Sequence, residues 1–505
     1  MLKRPMLLLA ILSSIAVALV YYSFFTAIIF SALCIILMFI VIYRKQSGVF
    51  ILCGILLLCI MLSAAFTISK IEAKEKLDGL TAQGEFIVSE AAYDNGDGLT
   101  FTAETLECEY LNRGDKIIMK YNGPEIEMGK AFKSEVRISC LKDSPLALSY
   151  YSEGIYLSAD LSKVLLTNND DFILKGISLI RSYIKRAIFS HFDKEEAATM
   201  LAILTGDNRY FTAEFYRNVK AAGVAHVMVV SGMHLSIIVI LTTYLLNKFF
   251  YNRYFKAIII LITVITVFAV CGFTMSVMRA GITYILMSLA LALNRQSISE
   301  NNLGTAVCVI LLLKPLAIFN LAFLLSVLST LGILTVALPV NEFINENKII
   351  KSKIVSNTAL SVIITLSAVI FTLPVTIPTF GYISNMSIAT NLLVGLPVTA
   401  AIYLSLAGLV LPPFADALFF VANLIVKYVN FVINYFGSSP FAVTNLPDWA
   451  IILAIIAIFL IIYGLLACTK QNNVVKLKRI LNKKILEGGG KRKWQSLMKK
   501  RLKKR

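Results

Sequence analysis

The sequence is poor in charge. Asp, Glu, Lys and Arg make up only 15% of 505 residues, against 58% hydrophobic, and the mean hydropathy is +0.77. So little charge cannot cover a soluble surface of this size, which excludes a single water-soluble core and implies a polytopic α-helical membrane protein. Histidine is scarcer still, with three in the chain and none after His234. His226 and His234 stand eight residues apart with no adjacent Cys or carboxylate to complete a tetrahedron, so no metal and no cofactor is expected. Of eight cysteines, Cys34, Cys53, Cys59, Cys271, Cys308 and Cys468 lie in apolar runs, where a thiol behaves as a small hydrophobe, and no spacing resembles a zinc motif.

One charge is abundant in one place. The net charge is +18, and from Lys470 to Arg505 fifteen Lys and Arg face a single acid, Glu487. This basic tail, 470–505, is predicted to stay cytoplasmic under the positive-inside rule or to contact anionic lipid headgroups, with a nucleic-acid arm as the alternative.

Lys3 and Arg4 precede an apolar run from Met6 to Tyr43, about twice the ~20 residues of one spanning helix, so it reads as a hairpin of two spans. Arg44 and Lys45 follow, and a third span, Val49 to Ile68, carries the chain outward and completes the N-terminal unit, 1–69. Residues 70–170 change character. Alternating segments at Glu85 to Ser89, Thr100 to Leu106, Lys116 to Tyr121, Phe132 to Ser139 and Gly154 to Ser158 are separated by turn signals, which predicts an extracellular five-stranded β-barrel of the OB type. Its eleven basic and eighteen acidic side chains are a poor surface for phosphates. Cys108 and Cys140 both fall here. A disulfide between them is expected, because the domain is placed outside and closing a loop of about 30 residues would contribute ~3–4 kcal/mol.

Residues 171–194 read as a basic amphipathic helix, with Ile173, Ile177, Ile180, Ile184 and Ile188 on one side and Lys175, Lys185 and Arg186 on the other. It is expected to lie on a membrane surface, with packing against the barrel as the alternative. Within 195–469 nine hydrophobic segments follow, near 226–247, 257–271, 277–293, 301–313, 318–340, 356–373, 388–410, 417–436 and 449–468. The loops between them alternate in Lys and Arg content, which places both termini in the cytoplasm and gives about twelve spans in all.

The stretch from Leu201 to Leu235 concentrates polar chemistry beside a long apolar run: Asp207, His226, Ser231, Gly232 and His234. Polar groups are costly at membrane depth and mark function or interhelical contact. A serine hydrolase fits poorly, because Ser231 and His234 are one helical turn apart and Val230-Ser231-Gly232 is not a nucleophile elbow. Arg279, in Ser276-Val277-Met278-Arg279-Ala280-Gly281, offers a guanidinium to an anion entering from outside, or snorkels to headgroups. Pro374, Pro378, Gly381 and the run from Asn391 to Pro397 break helices at membrane depth, where freed backbone groups must face protein or a watery cavity.

At these residues the sequence resembles the ComEC family of competence DNA-uptake channels. Leu201 to Asp207 resembles the family's leucine-rich start ending in Gly-Asp, Gly223 to His234 its Gly-x-x-His-x-x-x-x-Ser-Gly-x-His core, and Met278-Arg279-Ala280 its later Arg-Ala step. Pro315, Leu324-Leu325-Ser326, Pro374, Phe380-Gly381 and Asn391 to Pro397 follow in family order. The resemblance implies a non-enzymatic inner-membrane channel for single-stranded DNA, lined in part by Asp207, His226, Ser231, Gly232, His234, Arg279 and Asn391. It implies a DNA receptor outside and a motor ATPase inside. Many relatives end in a metallo-β-lactamase-like domain that needs a His-x-His-x-Asp-His set, which this chain lacks, so any nuclease activity must come from a separate polypeptide or from the acidic barrel. The alternatives are a transporter or assembly factor for another anionic polymer, and an intramembrane serine hydrolase.

Overall fold

The computed structural model describes residues 5–22, 47–90, 93–94, 98–142, 144, 146–228, 230–346, 352–447, 449–458 and 460. The second arm of the N-terminal hairpin, Cys34, Cys468, residues 461–468 of the last hydrophobic segment and the basic tail lie outside the described residues.

Apolar sequence makes helices here and alternating sequence makes strands. α1 (Pro5–Tyr22) and α2 (Ser47–Glu75) lead into five strands, β1 (Thr81–Val88), β2 (Leu99–Cys108), β3 (Lys116–Tyr121), β4 (Ala131–Cys140) and β5 (Ile155–Leu166), with a short helix α3 (Ala147–Glu153) before the last. The strands close on themselves in the order β1-β4-β5-β3-β2-β1, all antiparallel except the parallel pair β3–β5. Closure leaves this small barrel with no long free edge. Alternate residues fill its interior, where Phe86, Phe101 and Phe132 are fully buried and their rings meet at centroid distances of 5.9 and 6.0 Å.

The register overturns the expected disulfide. Gly84 of β1 pairs with Cys108 on one side and with Ser134 on the other. Cys140 stands six residues beyond Ser134, which at ~3.3 Å per residue displaces it by roughly 20 Å along the strand. A bridge needs Cα atoms within ~7 Å. Both cysteines are free thiols.

After the barrel come α4 (Phe172–His191), α5 (Lys194–Thr205) and α6 (Ala213–Ala221), then the long helices α7 (Gly232–Phe249), α8 (Arg253–Cys271), α9 (Met275–Ala292) and α10 (Ser299–Leu313). α11 (Leu321–Gly332) runs through a π-helical turn, Ile333–Ala337, into α12 (Leu338–Glu346). α13 (Lys353–Phe380), with Pro374 and Pro378 inside it, α14 (Ser387–Val410) and α15 (Ala415–Gly437) complete the described helices named here, and β6 (Tyr382–Ser384) pairs with β7 (Val443–Asn445). Among the described residues eight helices are long and apolar enough to cross a membrane, and Met6–Tyr21 and Ser299–Leu313 are shorter apolar helices.

The helices bury their apolar faces in two separate cores. One joins α4, α5, α7, α8, α14 and α15 through residues such as Ile188, Leu235, Val264, Val398 and Val426. The other joins α1, α2, α10 and α11 through Leu9, Ile60, Ile310 and Phe323, with Met275 at the start of α9 added to it. α4 therefore packs along the first core, with Ile184 and Ile188 buried and the Tyr183 hydroxyl 3.2 Å from the Leu409 carbonyl, while Phe172, Ile173, Leu179 and Ile180 remain exposed.

The barrel sits on one end of the bundle. Ile71, Ile118, Leu141, Tyr151 and Leu316 form an apolar joint there, and Lys74, buried in the last turn of α2, pairs with Asp115 of the barrel. Lys70 reaches the same carboxylate at 3.0 Å. Burial alone would raise the Asp115 pKa, but Lys74, Lys70 and the Asn112 N–H hold it below the ordinary carboxylate value.

Candidate functional site

The sequence predicts one unbroken hydrophobic segment near 226–247. The structure breaks it. A short turn of helix, Ala225–Met228, ends before Val230, and the long helix starts at Gly232 because Ser231 caps it. The Ser231 hydroxyl accepts the Met233 N–H at 3.2 Å, and the Ser231 N–H donates to His234 Nδ1 at 3.0 Å, a reciprocal capping box with histidine in the place usually held by Glu or Gln. The same ring nitrogen lies 3.3 Å from the Ser231 hydroxyl. Both groups of the supposed serine–histidine pair are thus engaged in starting a helix. On the far side of the ring, His234 Nε2 is buried with no hydrogen-bond partner, facing the Val227 backbone without reaching bonding geometry.

The start of α7 meets the start of α9. A Cβ on Gly232 would lie 2.9 Å from the Ala280 Cβ and 3.1 Å from Arg279 Nη2, so only glycine lets the two helices approach this closely. The Gly232 N–H reaches the Ser276 hydroxyl at 3.5 Å, Ser276 donates to Ser326 at 3.1 Å, and Arg279 Nε donates to the same Ser326 hydroxyl at 2.8 Å. Three helices, α7, α9 and α11, therefore contribute one polar cluster. It holds a half-buried guanidinium with no ion-pair partner among the described residues. Its position is telling. Val277 and Ala280 belong to one apolar core, and Met275, Met278 and Phe323 to the other, so the cluster lines the seam between them. The end of α8 lies beside the barrel: the Val270 carbonyl accepts from Arg181 Nε at 2.8 Å, and Arg181 also touches Met128 of the barrel.

Asp207 lies just outside this cluster. α5 ends at Gly206, whose φ of +81° is a left-handed conformation that suits glycine, and the turn brings Gly206 within 3.5 Å of Val230 and of the Cys271 carbonyl. The Asp207 carboxylate then grips Arg209 through Nε at 2.7 Å and through a second guanidinium nitrogen. Burial would raise the Asp207 pKa, but Arg209 outweighs it and holds the group below its ordinary value. Arg209 also lies 3.7 Å from Glu125 of the barrel.

The remaining candidates stand apart. His226 is exposed, on the short turn of helix that precedes the α7 cap. Asn391 is half-buried on α14, one turn past Ser387, which abuts Gly223. The structure thus brings Ser231, Gly232, His234 and Arg279 together, adds Ser276 and Ser326, sets Asp207 just outside them, and leaves His226 and Asn391 apart. Ser326 enters the sequence reading only through the Leu324-Leu325-Ser326 step of the resemblance and not as a site residue, because a serine in an apolar helix most often bonds its own backbone. Among the described residues no group of three His, Cys, Asp or Glu is placed to hold a metal ion.

A family model described as Competence protein matches residues 203–471. No curated protein matches the chain, and no solved structure matches it. The matched region covers more than half of the chain and contains the whole cluster, and the protein belongs to the Competence protein family, the ComEC family its motifs resemble.

Proposed function

We propose that this protein is a membrane channel that carries single-stranded DNA into the cytoplasm, with the seam between its two helical cores as part of the conduit. The observation that supports this most is the polar cluster of Gly232, Ser276, Arg279 and Ser326 set between apolar cores, where a guanidinium has only a hydroxyl for a partner. An intramembrane cation without a counter-ion is costly unless an anion visits it, and a phosphate diester supplies one negative charge per nucleotide. Hydroxyls and backbone N–H groups beside it bind weakly enough to release each phosphate in turn.

In this reading the barrel faces outward as an OB-like module over the entrance, the termini lie in the cytoplasm, and the basic tail meets the inner leaflet. A receptor delivers DNA from outside and a motor ATPase draws it from within, while a separate nuclease removes the complementary strand. The chain itself is not an enzyme. The capping role of Ser231 and His234 favours this over a hydrolase, since general-base activation needs a lone pair on His234 that the Ser231 N–H already uses. Deleting the gene in its host should abolish transformation by added DNA while leaving growth normal. Normal transformation in the deletion strain would instead favour a carrier of another anionic polymer.

A further inference from the structure

A cavity of about 320 Å³ lies between α5, α6 and α15, away from the Arg279 cluster. Its wall joins three kinds of chemistry. Phe211 and Phe215 meet edge to face at 5.2 Å and present an aromatic surface. Asn430 and Asn434 line it with their carbonyl oxygens already engaged, Asn430 by the Thr199 hydroxyl at 3.0 Å and Asn434 by the Asn218 amide at 3.0 Å, which leaves two amide N–H2 donors facing the cavity. Glu195 and Glu214 are exposed on the same wall and have no ion-pair partner among the described residues, so they add acceptors.

At the cavity's edge, Tyr210 carries Lys185 Nζ at 5.0 Å and Arg209 Cζ at 5.9 Å from its ring centroid. Aromatic faces, paired donors and acceptors, and cations a few ångströms away are the complement of a nucleotide: ring, base edge and phosphate. The loop from Gly206 to Thr212 joins this cavity to Asp207 and to the turn before Ser231. The geometry points to a nucleobase-binding pocket that holds one or two unstacked bases of a single strand, with the phosphates on Lys185 and Arg209. This rests on the single-stranded DNA reading above and adds a base-contacting site to it.

The test uses the full-length protein in lipid nanodiscs and the fluorescence anisotropy of labelled 20-mers: oligo-dC, oligo-dT and an abasic strand with the same phosphates. Wild-type protein should bind oligo-dC more tightly than the abasic strand. Phe215→Leu, which keeps apolar bulk but removes the ring, should weaken oligo-dC binding at least about fivefold and leave abasic binding unchanged. Glu214→Gln, exposed and isosteric, should lower the preference for oligo-dC over oligo-dT, because only cytosine offers an exocyclic amine to the carboxylate. Equal binding of base-bearing and abasic strands, or a Phe215→Leu variant that loses neither or both, would overturn the pocket while leaving the channel reading intact. If wild-type protein binds none of the three strands, the channel reading fails and the pocket fails with it.

Discussion

At the scale of single residues, Ser231 and Arg279 separate structure from transport. Ser231 caps α7, and alanine there would cost ~1 kcal/mol whether or not DNA passes, so loss of uptake in that variant would mean little. Ser231→Asp is sharper. Aspartate caps a helix as well as serine does, yet it sets a negative charge beside the proposed phosphate path. The variant should reach the membrane at wild-type abundance, judged by immunoblot of membrane fractions, and should lose most transformation. Wild-type transformation in Ser231→Asp would return the residue to a purely structural part. Asp207, Ser231, Gly232, His234 and Arg279 all stand out in the sequence, because polar groups and glycines are conspicuous in apolar surroundings. What the sequence hides is pairing. The capping box needs the helix start at Gly232, which a continuous run of hydrophobicity from His226 conceals, and Ser326 joins Arg279 only across 47 positions of chain.

At the scale of elements, the barrel's five strands are legible from alternation and turn residues, though the first starts four residues earlier than expected and the last ends at Leu166, well past Ser158. The disulfide was not legible, since whether two cysteines meet depends on register, and register emerges only when β1 pairs with both β2 and β4. Nor was the joint to the bundle. Lys74 and Asp115 are ordinary charges in sequence, yet the fold buries both. Asp115→Asn leaves the Lys74 ammonium buried without its counter-charge and should destabilise the joint by about 3–5 kcal/mol. Limited proteolysis across a temperature series would show this as barrel cleavage at lower temperature than in wild type. The pH dependence follows from the depressed folded-state pKa. The carboxylate's contribution is present above its unfolded value of about 3.9 and is lost as pH falls through the folded value, so wild-type protein should become protease-sensitive below about pH 4. The Asp115→Asn variant should lack that component of the acid transition.

At the scale of the whole molecule, two apolar cores meet along a polar seam, and the barrel stands on one end of the bundle. A polytopic helical protein is evident from composition, but the division into two cores is not, because every apolar helix looks alike until its neighbours are known. Orientation is a separate prediction from loop charge. Reporter fusions after Leu165 and after Lys484 should report opposite sides of the membrane, with the barrel outside. Reporters that give the same side would require an even number of spans between them, against the nine that the hydrophobic segments predict.

The seam's role is tested most directly by the entry of labelled DNA into cells that carry Arg279→Ala. Removing the guanidinium takes away the cation that faces the Ser326 hydroxyl and leaves only neutral donors along the seam. Cells given end-labelled duplex DNA should then accumulate at least about tenfold less nuclease-protected single strand than wild type, corresponding to a loss of ~1.4 kcal/mol or more at the limiting step. Membrane abundance and DNA bound at the cell surface should be unchanged. Wild-type amounts of protected single strand in Arg279→Ala cells, with the protein at normal abundance, would contradict a conduit through this seam.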